Sequence, residues 1–259
     1  MRAGDILLLL IIAITAVLLV ADSVTGGAVG VWIDANGYAT SIRIGRMFKM
    51  TGMLMVVLLF LPIVMAIWGR FARLPVSTES GLRGAIKTID FINTAVGDMA
   101  RWFALALVIV TATVVIQRYV FGNASTQLQE SVIYFHSLLF LLSAGATLLA
   151  NGHVRVDILY SKMTPRAKAW TDLAGVYLAL IPMCLLIMVT SGPYVNASWR
   201  ILEQSRESDG LPLVFMLKTA ILAFAVLLLL QGVAMALRAA LTISGRTPPV
   251  MGRHHEQEL

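Results

Sequence analysis

Six long, nearly uncharged apolar runs leave this chain of 259 residues few folds to choose from. They occupy residues 6–21, 50–68, 100–116, 131–150, 171–191 and 211–237. A helix that crosses a bilayer needs about 20 mostly apolar residues. The first run is short for that. It spans if the bilayer thins locally or its flanking polar residues snorkel. Hydrophobic residues make up 58% of the chain and charged residues 13%, against roughly 45–50% and about 25% in a soluble domain. Backbone groups in lipid must be paired within the segment, which favours helices. The alternation expected of a membrane barrel is missing. The expected fold is therefore an all-α integral membrane protein, a four-helix core bundle with two extra N-terminal transmembrane helices.

The positive charges orient these helices, because cytoplasmic loops collect Lys and Arg. With the N-terminus inside, the inner side holds Arg2, the bases from Arg70 to Arg101, those from Arg155 to Lys168, and those from Arg238 to Arg253. The outer side keeps Arg43, Arg46, Lys49, Arg118, Arg200, Arg206 and Lys218. The bias places both termini in the cytoplasm, although the three bases between residues 22 and 49 oppose it. That stretch is rich in Gly, Asp and Asn and reads as a loop. The first run also has the layout of a signal peptide, but Leu19-Val20-Ala21-Asp22 makes a poor cleavage site, so a retained helix is favoured. The polar stretch 70–82 reads as a linker. Three parts are then expected: an N-terminal extension over residues 1–81, a four-helix membrane domain over 82–245, and a disordered cytoplasmic tail over 246–259.

Composition excludes several functions. The net charge of +6 sits at the ends of apolar runs, with no basic face interleaved with aromatics, so nucleic acid is not an expected partner. One cysteine, Cys184, cannot form a disulfide or a Cys-based metal site within one chain. No phosphate-binding, dinucleotide, zinc-protease or nucleophile-elbow string occurs. Catalytic, cofactor-binding and metal residues are all expected to be none.

The polar residues near the apolar runs are structural or subunit-interface candidates. Glu130 opens the fourth apolar helix, where the helix dipole favours a carboxylate. Ser125 or Thr126 is placed to cap that helix. Glu130 is also placed to pair with Arg118 or Lys218, since ionisable groups in a span usually face protein or water. Lys218 needs a reason for its depth: snorkelling, Glu130, or a partner subunit. His136 reads as a buried, hydrogen-bonded histidine. Haem ligation needs a second intramembrane histidine, and the chain has none. His153, Arg155 and Asp157 alternate in HVRVD, at the start of an inner loop. Pro165 reads as the first turn of a helix and Trp170 as an interfacial anchor. The outer loop over 192–210 reads as a simple interfacial connection or, through Tyr194, Val195, Trp199, Ile201 and Leu202, as a short helix lying at the interface. It contains Trp199, Arg200 and Glu203, the candidates for contact with a periplasmic partner.

Three strings carry a family resemblance: QRYVFGNAS, QLQESVIYFHSLLFLLSAGATLLANGHVRVDILY and SDGLPLVFMLKTAILAFAVLLLLQG. With them, the block from about residue 82 to 245 resembles the small, DctQ-like membrane subunit of tripartite ATP-independent periplasmic (TRAP) transporters. The middle string is the most specific. Only Glu130 matches where the family often has an aromatic residue and two acids. The first 80 or so residues, with two extra helices, depart from the usual four-helix subunit. The resemblance implies a scaffold subunit of a bacterial inner-membrane importer of organic acids, with carboxylates as the family-level expectation. Its implied partners are the lipid bilayer, a large permease subunit that carries the substrate and a periplasmic substrate-binding protein. The competing reading is a membrane-anchor subunit of an electron-transfer or other membrane enzyme complex.

Overall fold

The computed structural model of the chain describes residues 2–71, 76–152 and 160–249, which form helices and turns and contain no strand. The helices are α1 (Ala3–Val24), α2 (Ala28–Phe71), α3 (Val76–Tyr119), α4 (Thr126–Leu149), α5 (Pro165–Gly175), a π segment (Val176–Leu180), α6 (Ile181–Arg200) and α7 (Val214–Ile243). Among the described residues, five stretches are long and apolar enough to cross a membrane: Ala3–Val24, Glu79–Tyr119, Thr126–Leu149, Pro165–Arg200 and Val214–Ile243. The expected second span falls inside α2, where Leu59–Trp68 is the described apolar part. The chain is an all-α membrane protein.

One expected loop is almost wholly helical, and a second is helical in its first part. The stretch 22–49 turns only at residues 25–27, where Gly26 and Gly27 adopt positive φ, and α2 begins at Ala28. The Asp22 carboxylate accepts the Gly30 N–H at 2.9 Å, satisfying one of the free first-turn amides of α2. Asn36 bonds back to the Trp32 carbonyl at 3.1 Å, which occupies its side-chain amide within the helix. The expected outer loop likewise begins late. Its first residues belong to α6, which passes through Pro193 and ends at Arg200. A membrane helix tolerates such a proline because neighbouring groups satisfy the carbonyl it frees. The stop is set by Leu202 at φ 45°. There the Glu203 N–H reaches the Ser198 carbonyl at 3.0 Å, closing the helix in a Schellman turn. The 70–82 stretch is helical from Val76 onward. Residues 72–75 of that stretch lie outside the described residues, as do His153, Arg155, Asp157 and the last ten residues of the tail.

The chain gathers into two compact units. One comprises Met1–Lys49, Ala95–Ser143 and Val189–Ala223; the other comprises Met50–Thr94, Ala144–Met188 and Phe224–Leu259. The second unit holds a core that includes Ile86, Leu173, Cys184, Val233, Ala240 and Leu241. Lipid tails are as apolar as leucine, so helices in a membrane associate through close packing and interhelical hydrogen bonds. Both devices are present. Pro182 has no N–H, and a proline ring clashes with the carbonyl four residues back. The helix relieves this by widening into the π segment, in which the Ile181 N–H reaches the Val176 carbonyl. Gly232 on α7 receives the bulge: a Cβ there would stand 2.7 Å from Leu180 Cδ2. The Tyr177 hydroxyl donates to the Leu59 carbonyl on α2.

Polar groups join α3 to α7 in the same unit. The Asn93 amide donates to Gln231 Oε1 at 2.9 Å, and both side chains are buried. Gly145 on α4 makes room for that amide, since a Cβ at Gly145 would fall on Asn93 Oδ1. Farther along, Arg238 pairs with Asp90, and Glu79 pairs with Arg83 and Arg246. Thr164 caps α5, and Pro165 stands in its first turn, as the sequence predicts. Arg166 donates to the Ile243 carbonyl at 2.8 Å, satisfying the C-terminal end of α7. Tyr160 bonds both oxygens of Asp172, and Lys168 lies over its ring.

Candidate functional site

The richest polar site of the first unit is built around the non-helical segment 201–213, between α6 and α7. Ser125 caps α4 by accepting the Leu128 N–H, which places Glu130 just past the first turn. Both carboxylate oxygens of Glu130 are used. Oε1 accepts the Ser205 hydroxyl, and Oε2 accepts the Leu211 N–H at 2.6 Å. Ser205 also takes the Glu207 N–H on its hydroxyl oxygen and gives its own N–H to the Leu211 carbonyl. Gly210 closes this knot. Any side chain there would strike the Ser205 hydroxyl, and its Cβ would stand 2.8 Å from Glu130 Oε1. One carboxylate thus ties together the two ends of the segment.

A second tie is made from α7. Lys218 Nζ meets Glu203 Oε2 at 2.5 Å and lies 4.1 Å from the Tyr194 ring centroid, within cation–π range. The Lys218 ammonium is the main reason the Glu203 carboxyl titrates below its ordinary value. Beside it, Trp199 Nε1 donates to Thr219 Oγ1 at 2.8 Å. The Trp199 ring stands edge-on to Phe215, with centroids 4.7 Å apart.

These contacts redistribute the candidates read from sequence. Glu130 and Lys218 are both engaged, but with Ser205, Leu211 and Glu203 rather than with each other. The reason is reach: the 201–213 segment folds back over α4 and supplies its own donors. Arg118 is exposed in the last turn of α3, where a cation suits the dipole. His136 is exposed on α4, with no hydrogen bond among the described residues, where the sequence predicts a buried, hydrogen-bonded one. Trp199 and Glu203 turn inward to α7, while Arg200 stays exposed. Sequence reasoning missed Ser205, Gly210 and Thr219. The signal available was the acid-and-hydroxyl-rich run from Glu203 to Asp209, directly before a helix that carries a lysine. Among the described residues no group of three or more His, Cys, Asp or Glu side chains could hold a metal ion.

The family model for the DctQ component of tripartite ATP-independent periplasmic transporters matches residues 107–242. This chain belongs to the DctQ family. The match runs from the second half of α3 to the end of α7 and includes Glu130, Lys218 and the whole of the 201–213 segment. In this DctQ protein, α1, α2 and the first part of α3 lie outside the matched region. No curated protein and no solved structure matches the chain. The family is a component of transporters.

The Lys218–Glu203 tie makes a directional prediction. Lys218→Ala leaves Glu203 without its ammonium and is expected to lower recovery of the complex. A native yield of intact, active complex would refute this. Acid should act through the same pair. A carboxylate whose folded pKa is depressed stabilises the fold above its unfolded value, near 4.3. That contribution fades as pH falls through the lower, folded pKa. Apparent stability at pH 7 should therefore exceed that at pH 3 by more in the native protein than in Glu203→Gln. Equal acid losses in the two proteins would exclude a role for the pair.

Proposed function

We propose that this DctQ protein is the static scaffold subunit of a TRAP importer for organic acids, carboxylates being the expected class. In this reading its apolar helices hold a large, substrate-carrying permease subunit in the bacterial inner membrane. Both termini lie in the cytoplasm, and the 201–213 segment faces the periplasm. The observation that carries the reading is the double tie on that segment. Glu130 and Lys218 fix it to the ends of α4 and α7 from the inside, leaving Arg200, Arg206, Glu207 and Asp209 exposed along it. A pre-ordered, charged rim saves the ordering cost that a floppy loop pays on binding, and it suits reversible contact with a substrate-binding protein.

Reconstitution tests this. Uptake of radiolabelled carboxylic acids into liposomes is expected only when this chain, the large subunit and the binding protein are all present. Uptake by this chain alone would overturn the scaffold reading, as would full uptake by the other two components without it.

A further inference from the structure

The first helix lies outside the family match, yet its base is joined to α3 by a specific set of contacts. The Asp5 carboxylate accepts Arg101 Nη2 at 2.6 Å, Trp102 Nε1 at 2.9 Å and, through its other oxygen, the Arg2 backbone N–H at 2.8 Å. Asp98 completes the ring. Its Oδ1 lies 3.2 Å from Arg2 Nη1 and 3.5 Å from Arg101 Nη1. Two guanidinium groups and two carboxylates therefore cancel in charge. At the centre Gly4 is buried. A Cβ on Gly4 would run into the Ala95 carbonyl and stand 2.6 Å from the Met99 nitrogen. Only glycine lets the helices approach this closely, and the close approach is what brings the four charges together.

The clamp fixes direction as well as contact. Arg2 and Asp5 precede the apolar run of α1, while Asp98 and Arg101 stand at the start of the apolar part of α3. Both runs leave the same charged base, so the clamp sets two apolar helices starting from one level. That agrees with an assignment of Arg2 and Arg101 to the same side of the membrane.

Above the clamp α1 is bare. Every residue from 9 to 20 is exposed, including Leu9, Ile12, Val17 and Leu19. Over 16 residues, about 24 Å of helix, the only polar side chain is Thr15. Its hydroxyl bonds the Ile11 carbonyl at 2.8 Å, so it asks nothing of a neighbour. Apolar on all sides, with no stripe of small residues to seat a second helix, this surface matches acyl chains.

We propose that α1 is a resident helix of the mature subunit, fastened to α3 by the Arg2, Asp5, Asp98, Arg101 and Trp102 clamp and covered along its length by lipid. The test uses the full chain, tagged at its C-terminus and purified from membranes. Its intact mass should include residues 2–24; a chain lacking them overturns the proposal. Asp5→Arg and Arg101→Asp should each lower the apparent Tm by about 3 °C or more. The double variant, which restores opposite charges, should recover most of that loss. A double variant no better than the worse single one counts against the clamp. If the single variants fail to fold, Asp98→Asn serves as the milder probe, and an unchanged Tm there also counts against it. A photo-crosslinking residue at position 17 in the assembled complex should capture phospholipid. Capture of another helix in place of lipid would overturn the lipid assignment.

Discussion

Replacing Arg238 by methionine should destabilise the subunit by about 3 kcal/mol or more, the usual scale for stranding one member of a buried ion pair. Arg238 is 6% exposed and its guanidinium bonds the Asp90 carboxylate and the Pro249 carbonyl at 3.3 Å. The pair is incompletely satisfied even in the native fold, for Asp90 Oδ1 and Arg238 Nη1 have no hydrogen-bond partner among the described residues. Methionine keeps much of the length and apolar bulk but leaves the carboxylate of Asp90 facing protein without a cation. Thermal unfolding in detergent reads the loss. A second change, Asp90→Leu, should restore most of it, because replacing both members of a buried pair by apolar groups is often neutral or stabilising. An Arg238→Met chain as stable as the native one would show that the pair contributes nothing.

The second large effect is expected at Glu130. Alanine there removes both acceptors at once, leaving the Ser205 hydroxyl and the Leu211 N–H to find water. Hydrogen bonds to a charged group are stronger than those between neutral groups, so both losses count. The 201–213 segment should then be held only by Lys218 and the Trp199 contacts. Recovery of the subunit with its permease partner should fall severalfold, and the Leu211 amide should exchange faster with solvent. Glutamine keeps an acceptor and should fall between native and alanine. Unchanged Leu211 exchange in Glu130→Ala would refute the tie, and unchanged complex recovery would refute its importance to assembly.

The apolar runs made the helices legible before any coordinates, because in lipid a helix is the cheapest way to satisfy a backbone. Their ends were less legible. Gly30, Asn36 and Gly37 lower helix propensity, and Pro193 removes an N–H. Yet α2 and α6 pass through these positions, because capping by Asp22 and the membrane setting outweigh local preference. Glu130 and Lys218 were readable as engaged residues because a charge near or within an apolar run needs a partner. Their actual partners were not readable, since Ser205 and Glu203 lie in a segment whose path no periodicity describes. The buried α3–α7 pairs were hidden for another reason. Asp90 and Asn93 share one helix face by their spacing of three, and Gln231 and Arg238 share another by their spacing of seven. Nothing in one sequence says that these two faces meet. The π segment had a local cause in Pro182, but its receiving glycine, Gly232, lies far along the chain.

The burial of Cys184, 1% exposed in the second unit, has a practical consequence. It is the chain's only thiol, and it is shielded from reagents that attack from water. The native subunit therefore behaves as a nearly silent background for sulfhydryl chemistry. A cysteine introduced at Arg200, Arg206 or Asp209 would be the dominant reactive site, and impermeant maleimides added to intact cells would report directly which face of the membrane that residue occupies.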